Sequence, residues 1–254
     1  MIKRKNAREI ELMRRAGSIA AAAREVAGSM VHTGATTQSI NKRVDEFIRS
    51  RGAKPVFLGY NGFPASVCIS VNEQVIHGIP SPRKLLDGDV VSIDVGVAKD
   101  GFIGDCAATF VAGSASPEAQ RLIDVTRQCF FEALKYARPG YRVSDISRAI
   151  QQYAEENGYS LVREYVGHGV GSKMHESPEV PNFVELPRKR PDPRLTPGMT
   201  LAVEPMVNEG CAEIVILDDK WTVVTADGLK SAHYENTILI TDGEPEILTV
   251  CEAM

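Results

Sequence analysis

Five side chains in this sequence have the types and spacing to hold metal ions. Asp94 stands inside the apolar run Val90-Val91-Ser92-Ile93-Asp94-Val95-Gly96-Val97, and Asp105 follows the turn-forming pair Asp100-Gly101. Folded as an antiparallel hairpin about that turn, the two aspartates come within about one residue of direct opposition, where facing side chains lie ~5 Å apart. Two buried carboxylates so placed repel each other and need shared protons or a cation. Taken alone, such a pair is more often exposed or engaged in a turn. The second half supplies more candidates. His168 lies among glycines in Tyr165-Val166-Gly167-His168-Gly169-Val170-Gly171, with His175 seven residues on. Those glycines would let a substrate or metal approach the backbone and the imidazole closely. Glu204 and Glu235 each enter an otherwise apolar strand, although either alone could face solvent. Four carboxylates and one imidazole without a thiolate suit two divalent ions such as Mn²⁺, Fe²⁺, Co²⁺ or Zn²⁺. A pair of such ions ~3.5–4 Å apart polarises a carbonyl and generates hydroxide at neutral pH.

The elements that must position these residues read as helix, helix, sheet, written twice. The segment from Gly34 to Gly52 and that from Gly140 to Gly158 have the same length at a constant offset of 106 residues. Ile40, Val44 and Phe47 align with Ile146, Ile150 and Tyr153, an apolar stripe at helical spacing with polar capping candidates before it and a glycine stop after it. Longer helical patterns precede each copy, near residues 6–29 and 117–137, the second opened by Ser116-Pro117. Strands are predicted at 66–71, 89–98 and 102–111, then at 161–169, 199–208, 213–217, 221–225 and 233–241. The expectation is an α+β chain forming one catalytic domain over 1–254, with halves of about 1–112 and 113–254. A duplicated unit leaves a cleft where its halves meet, and a site there draws residues from both.

Composition excludes some classes of function. With 43% hydrophobic and 24% charged residues the chain can bury a sizeable core, and its net charge of −4 gives no electrostatic reason to bind nucleic acid or an anionic membrane. The basic start, Met1-Ile2-Lys3-Arg4-Lys5, is followed by an Ala-rich stretch broken by Arg14, Arg15, Arg24 and Glu25, so neither a signal peptide nor a membrane span is expected. Five scattered cysteines without a Cys-x-x-Cys pair point to a reducing, cytoplasmic setting.

Nearly the whole chain resembles the type I methionine aminopeptidases of the creatinase and prolidase-like "pita-bread" family. The resemblance is carried by Ser66-Val67-Cys68-Ile69-Ser70-Val71-Asn72-Glu73, His77-Gly78-Ile79-Pro80, Ile93-Asp94-Val95, Gly104-Asp105, Gly167-His168-Gly169, Lys173-Met174-His175-Glu176, Glu204-Pro205-Met206 and Tyr234-Glu235. It implies a pita-bread fold with Asp94 on one metal, His168 and Glu204 on the other, and Asp105 and Glu235 bridging both. It further implies that a water activated by the metal pair attacks the first peptide bond, with Glu204 as proton acceptor and His77 and His175 serving the substrate. Tyr60, Phe63, Cys68, His77 and Trp221 match pocket-wall positions. Phe57 stands where Cys is common in the family, Asn61 where His is common and Met174 where Phe is common. A monovalent cation near Asn72 and Ser231 is also implied.

The implied substrate is the N-terminal methionine of a nascent protein whose second residue is small, so the chain's own Met1-Ile2 is expected to keep its methionine. A monomer is expected, in transient contact with the ribosome. Two other readings compete. A proline-directed peptidase of the same fold usually carries an N-terminal domain, whereas this chain begins directly with its first helix. A peptide- or ribosome-binding relative that lost catalysis would lack metal ligands, whereas all five positions are filled. Glu235 follows Glu204 by only 31 positions, which leaves little room for the helical insertion of the type II enzymes.

Overall fold

A computed structural model describes residues 2–184, 187 and 190–251. Met1, whose retention is expected above, lies outside the described residues. The first half contains helices α1 (Ala7–Ser29) and α2 (Thr37–Ser50) and strands β1 (Lys54–Pro55), β2 (Cys68–Val71), β3 (Gln74–Ile76), β4 (Asp89–Lys99) and β5 (Phe102–Ala112). The second half contains α3 (Pro117–Leu134), α4 (Val143–Glu156), β6 (Ser160–Leu161), β7 (Gly167–Gly169), β8 (Glu176–Val180), β9 (Thr200–Val203), β10 (Met206–Asn208), β11 (Ile214–Ile216), β12 (Val223–Thr225), β13 (Ser231–His233), β14 (Glu235–Leu239) and β15 (Glu246–Ile247).

The helices start where local chemistry satisfies their free N–H groups. The Asn6 side chain accepts from Glu9 N–H while the Glu9 carboxylate accepts from Asn6 N–H, and Thr36 and Ser116 cap α2 and α3. The offset of 106 holds to the residue, since α2 and α4 have the same length and start at 37 and 143. Each turns one apolar stripe inward. Ile40, Val44 and Ile48 pack with Val91, Ile93 and Val95 of β4, whereas Ile146 and Ile150 pack with Leu201 and Val203 of β9.

A nine-stranded antiparallel sheet runs through both halves in the order β1-β4-β5-β14-β9-β7-β8, with β2 also on β4 and β15 also on β14. The seam between the halves is the β5–β14 pairing, Glu235 opposite Ala107 and Asn236 opposite Cys106. In the first half the ladder is unbroken: β4 and β5 pair over eleven residues about the two-residue turn Asp100-Gly101, where both φ angles are positive. Such a turn matches the twist of the strands and locks their register.

The second half breaks its strands. Two long predicted strands each divide, at Glu204-Pro205 and at Tyr234. Proline has no N–H for a ladder, and the paired strands change sheet together there. β9 pairs with β14 in the large sheet, whereas β10 pairs with β13 in a small sheet β13-β10-β6. The predicted strand 161–169 likewise survives only at its ends, as β6 and β7. Among the described residues no helix is long and apolar enough to cross a membrane.

Candidate metal centre and substrate pocket

The register places the aspartates differently from the simple count. Asp94 lies opposite Ala107 and Asp105 opposite Gly96, so the two are diagonal neighbours two residues out of register rather than directly opposed. An even offset keeps both side chains on one face of the sheet. Glu235 begins β14 beside them, while His168 and Glu204 come from β7 and the end of β9. Oxygen or nitrogen atoms of Asp105, His168 and Glu235 lie within 4.8 Å of one another. His168 Nε2 is 3.7 Å from Asp105 Oδ2 and 3.5 Å from Glu204 Oε1. All five residues expected as ligands line one cavity.

The donor set is incomplete without a cation. Asp94 Oδ1, Asp105 Oδ1 and Glu235 Oε1 are buried without a hydrogen-bond partner. His168 Nδ1 lies 2.9 Å from the carbonyl of Gly169. A carbonyl only accepts, so the imidazole proton sits on Nδ1 and Nε2 is a bare lone pair facing two carboxylates. Acceptors converging on acceptors in a buried space need shared protons or a cation between them. Burial pushes Asp94 up to about 7, and burial with the neighbouring negative charges holds Asp105, Glu204 and Glu235 well above the carboxylate range. Burial, with His175 as a smaller cause, lowers His168 to about 4, keeping the ring neutral.

The glycines around His168 have a different role from the one their sequence suggests. A side chain at Gly167 would lie 2.4 Å from the carbonyl oxygen of Ala202, and one at Gly169 would lie 2.5 Å from that of Ser177. They admit the backbones of neighbouring strands rather than a substrate. The same economy of space operates across the sheet, where a side chain at Gly96 would meet the ring of Phe57 at 2.8 Å. Phe57 thus closes the pocket over the one residue of β4 that leaves it room.

The cavity has a volume of about 250 Å³. Its wall includes Phe57, Tyr60, Asn61, Phe63, Cys68, Met174 and Trp221, with His77 and His175 beside the acids, and Ile76, Tyr165 and Val166 also line it. Trp221 packs edge-on against Phe63 and His77, with ring centroids 5.2 Å and 6.2 Å apart. His77 follows β3 in a left-handed conformation, φ 58°, unusual for a residue with a side chain. His175 Nδ1 lies 2.7 Å from the Tyr60 hydroxyl. The chain next to it is tied down by a buried ion pair, Glu176 with Lys5 at 2.9 Å.

Sequence reasoning missed the wall residues Ile76, Tyr165 and Val166, and one residue close to the acids. His233 is buried, with Nε2 unpartnered and 3.9 Å from Glu204 Oε2. Its signal was present, since it is two residues before Glu235, but its placement depends on the strand break at Tyr234. Asn72 and Ser231 are in contact, Ser231 N–H donating to the Asn72 carbonyl at 2.9 Å. Both side chains are already engaged, Asn72 with Asp89 and Val90, Ser231 with Asn208 and Val207.

A paired-sheet cleft that gathers buried acids, a neutral imidazole and an apolar pocket suits metal-dependent hydrolysis, and residues 11–242 match the model of metallopeptidase family M24. A methionine aminopeptidase of Clostridium perfringens is 52% identical over 250 residues, covering 98% of this chain and 99% of that one. The crystal structure of a methionine aminopeptidase from Thermotoga maritima superposes with a TM-score of 0.94 at 42% identity, covering 99% of this chain and all of the other. A prolidase from Pyrococcus furiosus shares the fold alone, at 24% identity and a TM-score of 0.78, with 98% of this chain matching 66% of that one. The chain belongs to the methionine aminopeptidases of family M24, metal-dependent hydrolases with the pita-bread fold.

Proposed function

We propose that the cavity receives the side chain of an N-terminal methionine and that the chain cleaves the bond after it when the second residue is small. The observation that carries this reading is the convergence of partnerless carboxylate oxygens on the bare Nε2 of His168 at the polar end of an apolar pocket. Asp94 would hold one divalent ion, His168 and Glu204 the other, and Asp105 and Glu235 both. When bound, such ions polarise the scissile carbonyl and lower the pKa of water. Glu204 then accepts the proton of the attacking water and passes it to the departing amine. With the Tyr60 hydroxyl donating to Nδ1, His175 keeps its proton on Nε2, available to the developing oxyanion. His77 faces the amide, and its ring is neutral because burial lowers it to about 4, with His175 as a smaller cause.

The whole chain is read as one catalytic unit whose halves meet near residue 112. Mn²⁺, Fe²⁺, Co²⁺ and Zn²⁺ all suit the donors. A monovalent cation beside Asn72 and Ser231 would have to use backbone carbonyls, given how both side chains are engaged. Cys68, Cys106 and Cys129 are buried as thiols, which accords with a reducing cytoplasm, and a monomer in transient contact with the ribosome fits substrates that are nascent chains. The test is release of methionine from Met-Ala peptides by Mn²⁺- or Co²⁺-loaded protein, beside the same assay on Ala-Pro peptides. Cleavage of Met-Ala alone is expected. Preference for Ala-Pro would replace this reading with a prolidase-like one.

A further inference from the structure

The outer strand of the second small sheet is unlike the surface around it. β11 ends the order β11-β12-β3 and, among the described residues, pairs on one side only. Val215, Ile216 and the adjoining Leu217 are 49%, 51% and 40% exposed. An exposed apolar edge strand is a template for another strand. Its outward groups can be assigned. Leu217 N–H donates to the Thr222 carbonyl and Ala226 N–H to the Glu213 carbonyl, so residues 213, 215 and 217 bond towards β12. The alternation of an antiparallel ladder then turns the N–H and C=O of Ile214 and Ile216 away from it.

The edge also has a direction relative to the cavity. Ile76 and Trp221 line the cavity, and Ile76 is opposite Val223, which is opposite Ile216. Ile214 and Thr225 form the rung farther out. β11 therefore runs towards the cavity, whereas a polypeptide with its N-terminus in the cavity runs away from it.

We propose that the outward edge of β11 takes the extended substrate chain downstream of the cleaved bond as an added antiparallel strand, bonded to Ile214 and Ile216. This rests on reading the cavity as the methionine site. The surface is continuous with that site through Trp221, which follows the β11–β12 turn and forms the cavity wall. Strands are spaced ~4.8 Å apart and residues rise ~3.3 Å, so about four substrate residues cross the three strand spacings from Ile76 of β3 to a strand added outside β11. Main-chain pairing tolerates many sequences, and the exposed Val215 and Ile216 favour β-branched or aromatic residues beside them.

The test uses a non-cleavable heptapeptide, Met-ψ[CH₂NH]-Ala-Ser-Val-Thr-Val-Thr, and its first three residues alone, bound to the metal-loaded protein. Amide hydrogen exchange should slow about tenfold at Ile214 and Ile216 with the heptapeptide and not with the tripeptide, the scale of one or two main-chain hydrogen bonds. Methylating the backbone nitrogens of the last four peptide residues should abolish the difference. Ile216→Pro removes only an outward N–H, which an edge strand tolerates. It should bring the heptapeptide down to the affinity of the tripeptide. Equal affinity of the two peptides for the unaltered protein would overturn the inference, as would indifference to methylation. Concentration-dependent protection of these amides without peptide would show a second copy of the chain as occupant and overturn it as well. Protection at Trp221 without protection at β11 overturns this inference alone, whereas no protection at Trp221 overturns the methionine reading with it.

Discussion

The two halves of the site present their candidate ligands by opposite means. In the first half Asp94 and Asp105 stand on one unbroken hairpin, held by an eleven-residue ladder and a two-residue turn. In the second half Glu204 and Glu235 sit where two paired strands break together, at Pro205 and Tyr234, and leave one sheet for another. A regular strand fixes a carboxylate through register. A corner fixes it by ending the ladder, which frees the side chain and its neighbour His233 to turn into the cleft.

The contrast can be broken at its most demanding point first. Glu204→Gln keeps the shape of the corner and removes the proton acceptor, so kcat should fall by roughly 10²–10⁴-fold with the fold intact by circular dichroism. An activity within a few-fold of the original would remove Glu204 from proton transfer. Asp105→Asn touches the hairpin instead. It takes away a buried carboxylate, so the metal-free protein should melt higher while the gain on adding Mn²⁺ shrinks. A calorimetric scan showing the reverse order would place Asp105 in the packing rather than the metal centre.

Protons offer a second comparison. Burial raises the carboxyls of the centre above their unfolded values, with Asp94 near 7. A group raised in this way penalises the folded state as pH climbs from the unfolded carboxylate range, ~4, to the folded value. The metal-free protein should therefore lose stability between about pH 5 and 7, and metal binding in that window should release protons. Titration calorimetry in buffers of different ionisation enthalpy measures that release. Uptake or no exchange of protons would contradict the burial of the acids.

Smaller effects separate packing from chemistry. Gly169→Ala drives a methyl group towards the Ser177 carbonyl and should cost about 1–3 kcal/mol by denaturant melting, with metal affinity of the folded fraction retained. Unchanged stability with lost affinity would restore the glycine to a substrate or metal role. Tyr60→Phe removes the hydrogen bond to His175 and should lower kcat/KM by roughly tenfold, about 1.4 kcal/mol. An unaltered kcat/KM would leave the ring orientation to packing alone.

The hairpin was legible because its signals are local. Alternating apolar residues about Asp100-Gly101 give the strands and the facing carboxylates, and only the offset of two residues needed the register itself. The duplicated helices were legible for the same reason in their apolar stripes, each carried within fourteen residues, whereas the first turn of α4 is capped from afar, Ser144 N–H donating to the Asp192 carboxylate. The corners were not. Pro205 announced an interruption, but the break at Tyr234 follows from its pairing partner, and His233 becomes part of the site only through that break. Short strands such as β3 and β8 were also missed, since a few residues carry no period and tertiary pairing decides them. The role of Gly167 and Gly169 was misread because a glycine shows that something comes close without showing what.

Anomalous diffraction from crystals soaked in Mn²⁺ measures directly whether residues from both halves hold two divalent ions across the seam. Two peaks ~3.5–4 Å apart are expected, one bonded to Asp94, one to His168 and Glu204, with Asp105 and Glu235 touching both. No peak among these five residues, or ions held only by residues of one half, would contradict that arrangement.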